Sequence, residues 1–264
     1  MEGFRIGIIG GTGGMGKWFA DFARRAGCEV EVSGRSSGKS PEAMAASCDV
    51  VCVAVPISAT VPLIERVGPR MPEPSLLMDL TSLKVGPVAA MLRSSRCEVV
   101  GCHPLFGPRE TSAAGQNVVL CPARSQRWLP RIRALFAEAG ANVVETTAER
   151  HDAAMAVIQG MNHLHTVEMA LLLEASGLDL GDLDAFSTPV FREKTEILAR
   201  VLKNNPRLYA EIICGNPAVP SLLESCRKSL DALCETVRSG DAEWLGRRME
   251  SLADKLWPGR RQPR

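Results

Sequence analysis

The chain has 264 residues, of which 45% are apolar and 23% charged, and its formal net charge is +1. This composition is ordinary for a globular protein with room for two domains, and the near-neutral charge argues against nucleic-acid and membrane partners. The nine cysteines are odd in number and show no metal-ligand spacing. Because the amino terminus enters a strand-like run at once, we expect no signal peptide. We predict reduced thiols, no metal and a cytoplasmic location.

Up to residue 147, short β-type runs alternate with stretches of helical periodicity. The predicted strands cover residues 4–9, 29–32, 50–55, 76–80, 99–102, 118–121 and 142–145. Alternation of this kind predicts an α/β fold with a doubly wound, mainly parallel sheet of the Rossmann type. We therefore predict that residues 1–147 form a domain that binds a dinucleotide.

A glycine-rich turn follows the first predicted strand directly. Residues 11–16, Gly11-Thr12-Gly13-Gly14-Met15-Gly16, match the G-x-G-x-x-G pattern, and a predicted helix begins there. In that pattern Gly11 makes the tight turn, Gly13 lets the backbone approach a pyrophosphate, and Gly16 permits close packing of helix on strand. The free N–H groups of the helix then face the phosphates. All six residues are predicted cofactor contacts.

The end of the second predicted strand indicates which dinucleotide binds. An NAD site usually carries Asp or Glu there, whereas this chain has Ser33, Arg35 and Ser36. A guanidinium and hydroxyls suit the 2′-phosphate of NADP, so NADP is favoured over NAD. Glu31 keeps NAD open, because a different strand boundary would bring its carboxylate near the ribose. The remaining predicted cofactor contacts, at the end of the third strand, are Val55 and Pro56.

Two neighbouring strand ends carry side chains suited to proton transfer. Residues 79–84, Asp-Leu-Thr-Ser-Leu-Lys, close the fourth predicted strand, and residues 103–108, His-Pro-Leu-Phe-Gly-Pro, follow the fifth. Ligands of α/β sheets bind at the carboxyl ends of the strands. An imidazole there can take the proton of a carbinol as hydride leaves, so we predict alcohol oxidation by His103 with Ser82 orienting the pair. The other interpretation of residues 79–84 is a helix cap formed by Thr81 or Ser82.

Beyond residue 147 the strand signals stop. The predicted helices cover residues 150–175, 189–203, 206–213, 220–238 and 242–256. We predict an all-α domain over residues 148–258, for substrate binding and dimerisation, and a frayed tail over 259–264. The first helix is apolar around much of its circumference, so we expect a second copy to cover part of it. Arg192 and Arg200 offer forked donors for a substrate carboxylate.

Together these segments resemble the prephenate/arogenate dehydrogenase family, in particular its archaeal-type members. The segments that carry the resemblance are residues 10–19, 79–84, 103–108, 159–163, 186–192 and 200–212. The resemblance implies an NADP- or NAD-dependent homodimer that converts prephenate to 4-hydroxyphenylpyruvate by oxidative decarboxylation in tyrosine biosynthesis. Arogenate is the alternative substrate.

The resemblance also implies roles for individual residues. His103 accepts the hydroxyl proton with Ser82 supporting the geometry, and Arg200 holds the ring carboxylate. His163 lies at the substrate or its gate, and Lys84 supports the charge of the cofactor or substrate.

Two further functions stay open. The Gly-Gly-Thr-Gly run that begins at residue 10 and the Ser33–Arg35 segment are also found in deazaflavin-dependent NADP reductases, whose chemistry needs neither His103 nor a carboxylate-binding arginine. A non-catalytic NADP sensor is the other possibility, with the helical domain as its partner interface.

Overall fold

The computed structural model of the chain describes residues 3–34 and 38–259, in which a sheet is followed by helices. The strands of this part are β1 (Arg5–Ile9), β2 (Glu29–Ser33), β3 (Val50–Val53), β4 (Leu76–Asp79), β5 (Glu98–Pro104), β6 (Asn117–Arg124) and β7 (Asn142–Glu145). They form one sheet in the order β2-β1-β3-β4-β5-β6-β7. All neighbours are parallel except β5 and β6, which confirms the predicted doubly wound, mainly parallel sheet.

Helices cover both faces of the sheet, which explains why its central strands are continuous apolar runs. The helices between the strands are α1 (Gly14–Arg25), α2 (Pro41–Ser47), α3 (Ile57–Val67), α4 (Val85–Ser94) and α5 (Trp128–Glu138). On one face the aromatic side chains of α1 and α5 pack together. On the other face the apolar side chains of α2, α3 and α4 form a second core cluster.

Helical segments follow the sheet. In chain order they are α6 (Ala148–Met155), a π-helical turn (Ala156–Met161), α7 (Asn162–Ser176), α8 (Leu180–Asp184), α9 (Pro189–Asn204), α10 (Pro206–Gly215), α11 (Val219–Ser239) and α12 (Ala242–Leu256). The helix predicted over residues 150–175 is confirmed as one continuous helical segment, but the π-helical turn within it was not predicted. A Cβ on Gly160 in this turn would lie 2.5 Å from Cγ2 of Val219, so the missing side chain lets the two segments approach closely.

The chain divides into two compact units, one up to Val219 and one from Pro220 onward. Helices α6 and α10 belong to the first unit because they pack on α4, β6 and α3. The domain limits predicted from the sequence, 1–147 and 148–258, stay a prediction, and most of the tail, 260–264, lies outside the described residues. None of the helices within residues 3–34 and 38–259 is both long and apolar enough to cross a bilayer.

Candidate active site

The glycine-rich turn between β1 and α1 brings backbone close to backbone. Gly10 has a φ of +85°, and a Cβ there would lie 2.3 Å from the carbonyl oxygen of Ala54. A Cβ on Gly16 would lie 2.3 Å from the carbonyl oxygen of Gly10, so α1 packs directly on the turn. The packing role predicted for Gly16 is confirmed. The residue with the left-handed conformation in this turn is Gly10, which precedes the six predicted contacts.

The start of α1 suits an anionic ligand. Its first turn contains no acidic residue, and Gly13, the residue before the helix, has no side chain that could cap the helix. The first N–H groups of a helix have no partner within it and carry the positive end of its dipole. Thr12, Gly13 and Gly14 are exposed there, and Val55 borders the turn, with its Cγ1 2.8 Å from a Cβ position on Gly10. These residues fit the phosphates of a dinucleotide.

Ser33 at the end of β2 was predicted to contact the cofactor, but its hydroxyl is bonded within the protein. Its hydroxyl donates to the carbonyl oxygen of Lys39 at 2.8 Å, and the residue is buried. The Ser33 hydroxyl is therefore bound inside the protein and not to a cofactor phosphate. Glu31 lies within β2, where its carboxylate is 2.8 Å from Nζ of Lys39. The two other predicted contacts at this end, Arg35 and Ser36, lie outside the described residues.

Lys84 is fully buried, which contradicts the expectation that it supports the charge of a bound cofactor or substrate. Its ammonium group forms an ion pair with Asp79 at the end of β4. It also donates to the carbonyl oxygen of Cys102 in β5 at 2.9 Å. Because both charged groups are out of water and paired with each other, Lys84 joins two neighbouring strands and has no exposed surface for a ligand.

The start of α4 is capped from a distant helix. The carboxylate of Asp152 in α6 accepts hydrogen bonds from the backbone N–H groups of Lys84 at 2.8 Å and Val85 at 2.9 Å. The interpretation of Thr81 or Ser82 as the cap is therefore wrong. The Thr81 hydroxyl lies instead within hydrogen-bond distance of the Asp79 carboxylate.

His103 is buried near the end of β5, in a hydrogen-bonded row of side chains. Its Nδ1 lies 2.9 Å from Nε2 of His151, and Nδ1 of His151 lies 2.7 Å from Oδ1 of Asp152. Ser82 was expected to orient the imidazole. It is half-buried and makes no hydrogen bond to His103 within the described part of the chain. His151 occupies that position instead.

Burial holds the pKa of His103 well below its ordinary value, and the nearby Lys84 cation and His151 lower it further. The imidazole is therefore neutral near neutral pH, as a proton acceptor must be. Sequence patterns did not single out His151 or Asp152. A His-Asp pair in the first turns of a helix is typical of a solvated helix end, and only the fold shows that it is buried.

The loop that follows β5 packs on the start of α1. The ring of Phe106 meets Trp18 edge-on at a centroid distance of 4.8 Å, and Nε1 of Trp18 donates to the carbonyl oxygen of Glu110 at 2.8 Å. Cγ of Pro108 lies 3.0 Å from a Cβ position on Gly14. The segment that carries the buried imidazole thus lies against the turn that fits a dinucleotide.

The predicted substrate contacts of the helical part have different surroundings. His163 is half-buried and meets Tyr209 of α10 edge-on at 4.6 Å, and burial lowers its pKa. Arg192 is exposed, with Nε 3.4 Å from Oδ1 of Asp184. Arg200 is exposed and forms no ion pair with any described residue. The guanidinium of Arg200 is therefore available to an anion, while that of Arg192 is already paired.

The π-helical turn contains a buried polar group without a partner in the described part of the chain. Oε1 of Gln159 is buried and has no hydrogen-bond partner among the described residues. π-Helical turns are frequent at functional sites, and buried polar atoms normally have partners. Gln159 is thus a further candidate for contact with a ligand.

Two family models match consecutive parts of the chain: the nucleotide-binding domain of prephenate dehydrogenase over residues 20–145, and the dimerization domain over residues 147–251. A Methanocaldococcus jannaschii protein named probable arogenate/prephenate dehydrogenase is 32% identical over 94% of this chain and 60% of its own length. The T-protein of Haemophilus influenzae is 33% identical over 90% of this chain and 63% of its own. The chain thus spans about three fifths of the length of these relatives.

Among solved structures, the crystal structure of prephenate dehydrogenase from A. aeolicus with hydroxyphenyl propionate and NAD+ matches with a TM-score of 0.75 at 21% identity. The match covers 97% of this chain and 98% of that chain, so the two share a fold.

Proposed function

The chain belongs to the prephenate dehydrogenase family, and from that premise we propose that it converts prephenate to 4-hydroxyphenylpyruvate by NAD(P)-dependent oxidative decarboxylation. Arogenate is the alternative substrate. One observation carries the proposal: His103 is buried and neutral, and the loop that follows it packs on the start of α1, beside the turn that fits a dinucleotide. A proton acceptor and a hydride acceptor can therefore act on one carbon.

His103 is the proposed base of the reaction. The bound nicotinamide supplies the hydride acceptor. By taking the proton of the ring hydroxyl as hydride leaves the same carbon, His103 generates a ketone whose ring loses CO2 and becomes aromatic. The proton goes to Nε2, since Nδ1 is bonded to His151. Ser82 lies in the loop before α4, half-buried, and is proposed to contact the substrate hydroxyl.

Arg200 is proposed to bind the ring carboxylate of the substrate, because its guanidinium is exposed and unpaired within the described residues. His163 is proposed to lie at the substrate or its gate. Tyr209, against which it packs, belongs to α10, the helix that also contacts the start of α3. Arg192 is a weaker candidate, because Asp184 already neutralises it.

NADP is the proposed cofactor. Glu31, the acidic residue that would select NAD, is bonded to Lys39 within the protein. The sequence supplies Arg35 for a 2′-phosphate. Titration of the cofactors against protein fluorescence tests this: Arg35→Ala should weaken NADP+ binding about tenfold and leave NAD+ binding unchanged. Arg25→Ala, which removes an exposed arginine at the end of α1, is the control. Equal loss for both cofactors in Arg35→Ala would contradict the proposal.

A second copy of the chain is the proposed partner. The matched model over residues 147–251 describes a dimerization domain. The helices leave large apolar side chains exposed, which include Ile158, Leu171, Leu172, Leu230, Val237, Met249 and Leu256. Light scattering after size-exclusion chromatography should give the mass of two chains. Leu172→Asp should shift the mass toward one chain, whereas Val144→Asp on β7, also exposed, should not.

A two-by-two assay tests the activity itself. Purified protein is mixed with prephenate or arogenate, each with NAD+ or NADP+, and the absorbance of the reduced nicotinamide is followed. We expect turnover with prephenate and NADP+, and its loss in His103→Asn with cofactor binding retained. Absence of turnover with both substrates would contradict the proposal. NADP+ reduction by a reduced deazaflavin would then favour a reductase, and cofactor binding alone a sensor.

A further inference from the structure

Three side chains form a row that ends at the proposed base. His103, His151 and Asp152 are each almost fully buried, at 3%, 2% and 2% exposure. Nδ1 of His103 lies 2.9 Å from Nε2 of His151, and Nδ1 of His151 lies 2.7 Å from Oδ1 of Asp152. Both are distances of direct hydrogen bonds, with no room for water between the groups. The two imidazole rings are inclined to each other by 66°, so they meet edge-on.

The hydrogen bonds of Asp152 determine its protonation state. Oδ1 accepts the backbone N–H of Lys84 and also faces Nδ1 of His151, while Oδ2 accepts the backbone N–H of Val85. Each oxygen thus has one partner, a backbone N–H at the start of α4, that can only donate. Asp152 is therefore an acceptor at both oxygens, as a carboxylate is, and the N-terminus of α4 favours that charge. It follows that Nδ1 of His151 carries a hydrogen.

The tautomers of both rings follow from this carboxylate. A neutral His151 that donates through Nδ1 presents a lone pair at Nε2. Nδ1 of His103 faces that lone pair and must donate to it. The nitrogen of His103 that is left without a hydrogen is then Nε2, the one able to accept a proton. A doubly protonated His151 would reverse this order and leave Nε2 of His103 as a donor.

We infer that His151 and Asp152 are positioning residues that hold His103 in the Nδ1–H tautomer and so make Nε2 the base of the reaction; this inference rests on the proposed function. When His103 takes the substrate proton, its Nδ1–H stays bonded to His151. The Asp152 carboxylate, two hydrogen bonds away, stabilises the positive charge.

The charged groups around the row agree with this arrangement. Lys84, on the segment between β4 and α4, brings a buried cation to the carbonyl group next to His103, and Asp79 neutralises it. Cys102 in β5 and Cys121 in β6 are close to the Lys84–Asp79 pair, and burial raises the pKa of both thiols, so they are uncharged. Asp152 is thus the negative charge that the His103–His151 pair can use.

The row is fixed from a third side as well. The carbonyl oxygen of Asp152 accepts a hydrogen bond at 2.8 Å from the side chain of Asn216, a residue that is 1% exposed. Asp152 therefore joins α6 to the start of α4 and to the segment after α10. A group held by its side chain and its backbone has little freedom to turn, as positioning of a base requires.

Two variants of His151 test the inference by kinetics. His151→Phe keeps a ring but removes the acceptor for Nδ1 of His103, and should lower kcat about 10²- to 10³-fold with KM and cofactor affinity almost unchanged. His151→Gln places an amide oxygen near the position of Nε2 and should recover at least tenfold of that loss. His165→Gln, which removes an exposed histidine of α7, is the control and should keep wild-type kcat. Wild-type kcat in His151→Phe would overturn the inference.

Nitrogen NMR of the ¹⁵N-histidine-labelled protein tests the same inference without substrate. The chain has four histidines, which the variants above help to assign. In the wild type, His103 should show a hydrogen on Nδ1 and a free Nε2, and in His151→Phe the two tautomers should mix. An Nε2–H tautomer of His103 in the wild type would overturn the inference even if His151→Phe failed to fold. Absence of turnover in the wild type would count against the proposed function alone, since the NMR result does not depend on it.

Discussion

Ser58 at the start of α3 is bonded to Glu211 of α10. Its hydroxyl donates to Oε1 at 2.8 Å, and its backbone N–H lies 3.4 Å from Oε2. The carboxylate of Glu211 therefore lies at the N-terminus of a helix that begins beside the proposed cofactor site. We predict that Glu211→Ala lowers the free energy of unfolding by about 1 kcal/mol, measured by urea denaturation.

The control for Glu211 is Glu65→Ala, which removes an exposed carboxylate paired with Arg93 and should cost no more than about 0.5 kcal/mol. The stability contribution of Glu211 should also depend on pH. Burial tends to raise the pKa of Glu211, but the hydrogen bonds from Ser58 and the Arg207 guanidinium outweigh it and lower the pKa. The stabilisation is thus present above the ordinary pKa and lost as pH falls through the lowered one. Equal losses in both variants at neutral pH would contradict the prediction.

Two glycines within helices should respond to alanine with opposite signs. A Cβ on Gly16 would lie 2.3 Å from backbone, so Gly16→Ala should displace α1 from the turn, weaken cofactor binding and lower the melting temperature. Gly246 in α12 has open space around its Cβ position, so Gly246→Ala should stabilise the helix by about 0.5–1 kcal/mol. Thermal unfolding with and without cofactor measures both. Loss of stability in Gly246→Ala would contradict the prediction that this position has room for a side chain.

Arg200→Ala should raise KM for the substrate about 10- to 100-fold, because a charge-assisted hydrogen bond to a carboxylate is worth about 1.5–3 kcal/mol. Arg192→Ala should have a smaller effect, since Asp184 already pairs with that guanidinium. Initial rates over a range of substrate concentrations measure both. A larger rise in KM for Arg192→Ala than for Arg200→Ala would exchange the roles proposed for them.

His103 should make the protein less stable in acid. Its pKa is held below the ordinary value of 6.5 by burial first, and by Lys84 and His151 in addition. The unfolded chain therefore takes up a proton near pH 6.5 that the folded chain does not, and stability is full above that pH and lost below it. The loss should be about 1.4 kcal/mol per pH unit until the folded pKa is reached.

Urea denaturation of the wild type and His103→Asn at a series of pH values measures this contribution as the difference between the two curves. The difference should change below pH 6.5 and stay constant above it. A constant difference throughout would mean that His103 titrates alike in both states.

Most of the fold was predictable because its signals are local. The runs at residues 50–53 and 76–79 are continuous apolar segments, as strands buried on both faces must be, and helix periodicity lies between them. The glycine-rich turn and His103 were placed at strand ends by order along the chain alone. The π-helical turn was not predictable from local periodicity, and its close contact, between Gly160 and Val219, joins residues far apart in the sequence.

The side-chain partners within the site were not predictable in the same way. Lys84 has the sequence context of an exposed residue in a loop, yet the ion pair with Asp79 buries it. Ser33 binds Lys39 within the protein, and His151 takes the place expected for Ser82. In each case the partner is chosen by three-dimensional packing, and no spacing in the chain records it.

Because Asp152 caps α4, the segment matched by the nucleotide-binding model depends on a residue outside it and is not an independent module. The acceptor for the first N–H groups of α4 lies beyond residue 147, in the stretch matched by the other family model. In a chimera joined at that boundary, the cap of α4 and the residue bonded to the imidazole of His103, the proposed base, would both come from a foreign sequence. Recombination between relatives at this point should therefore yield active proteins only where the incoming segment carries the equivalents of both His151 and Asp152.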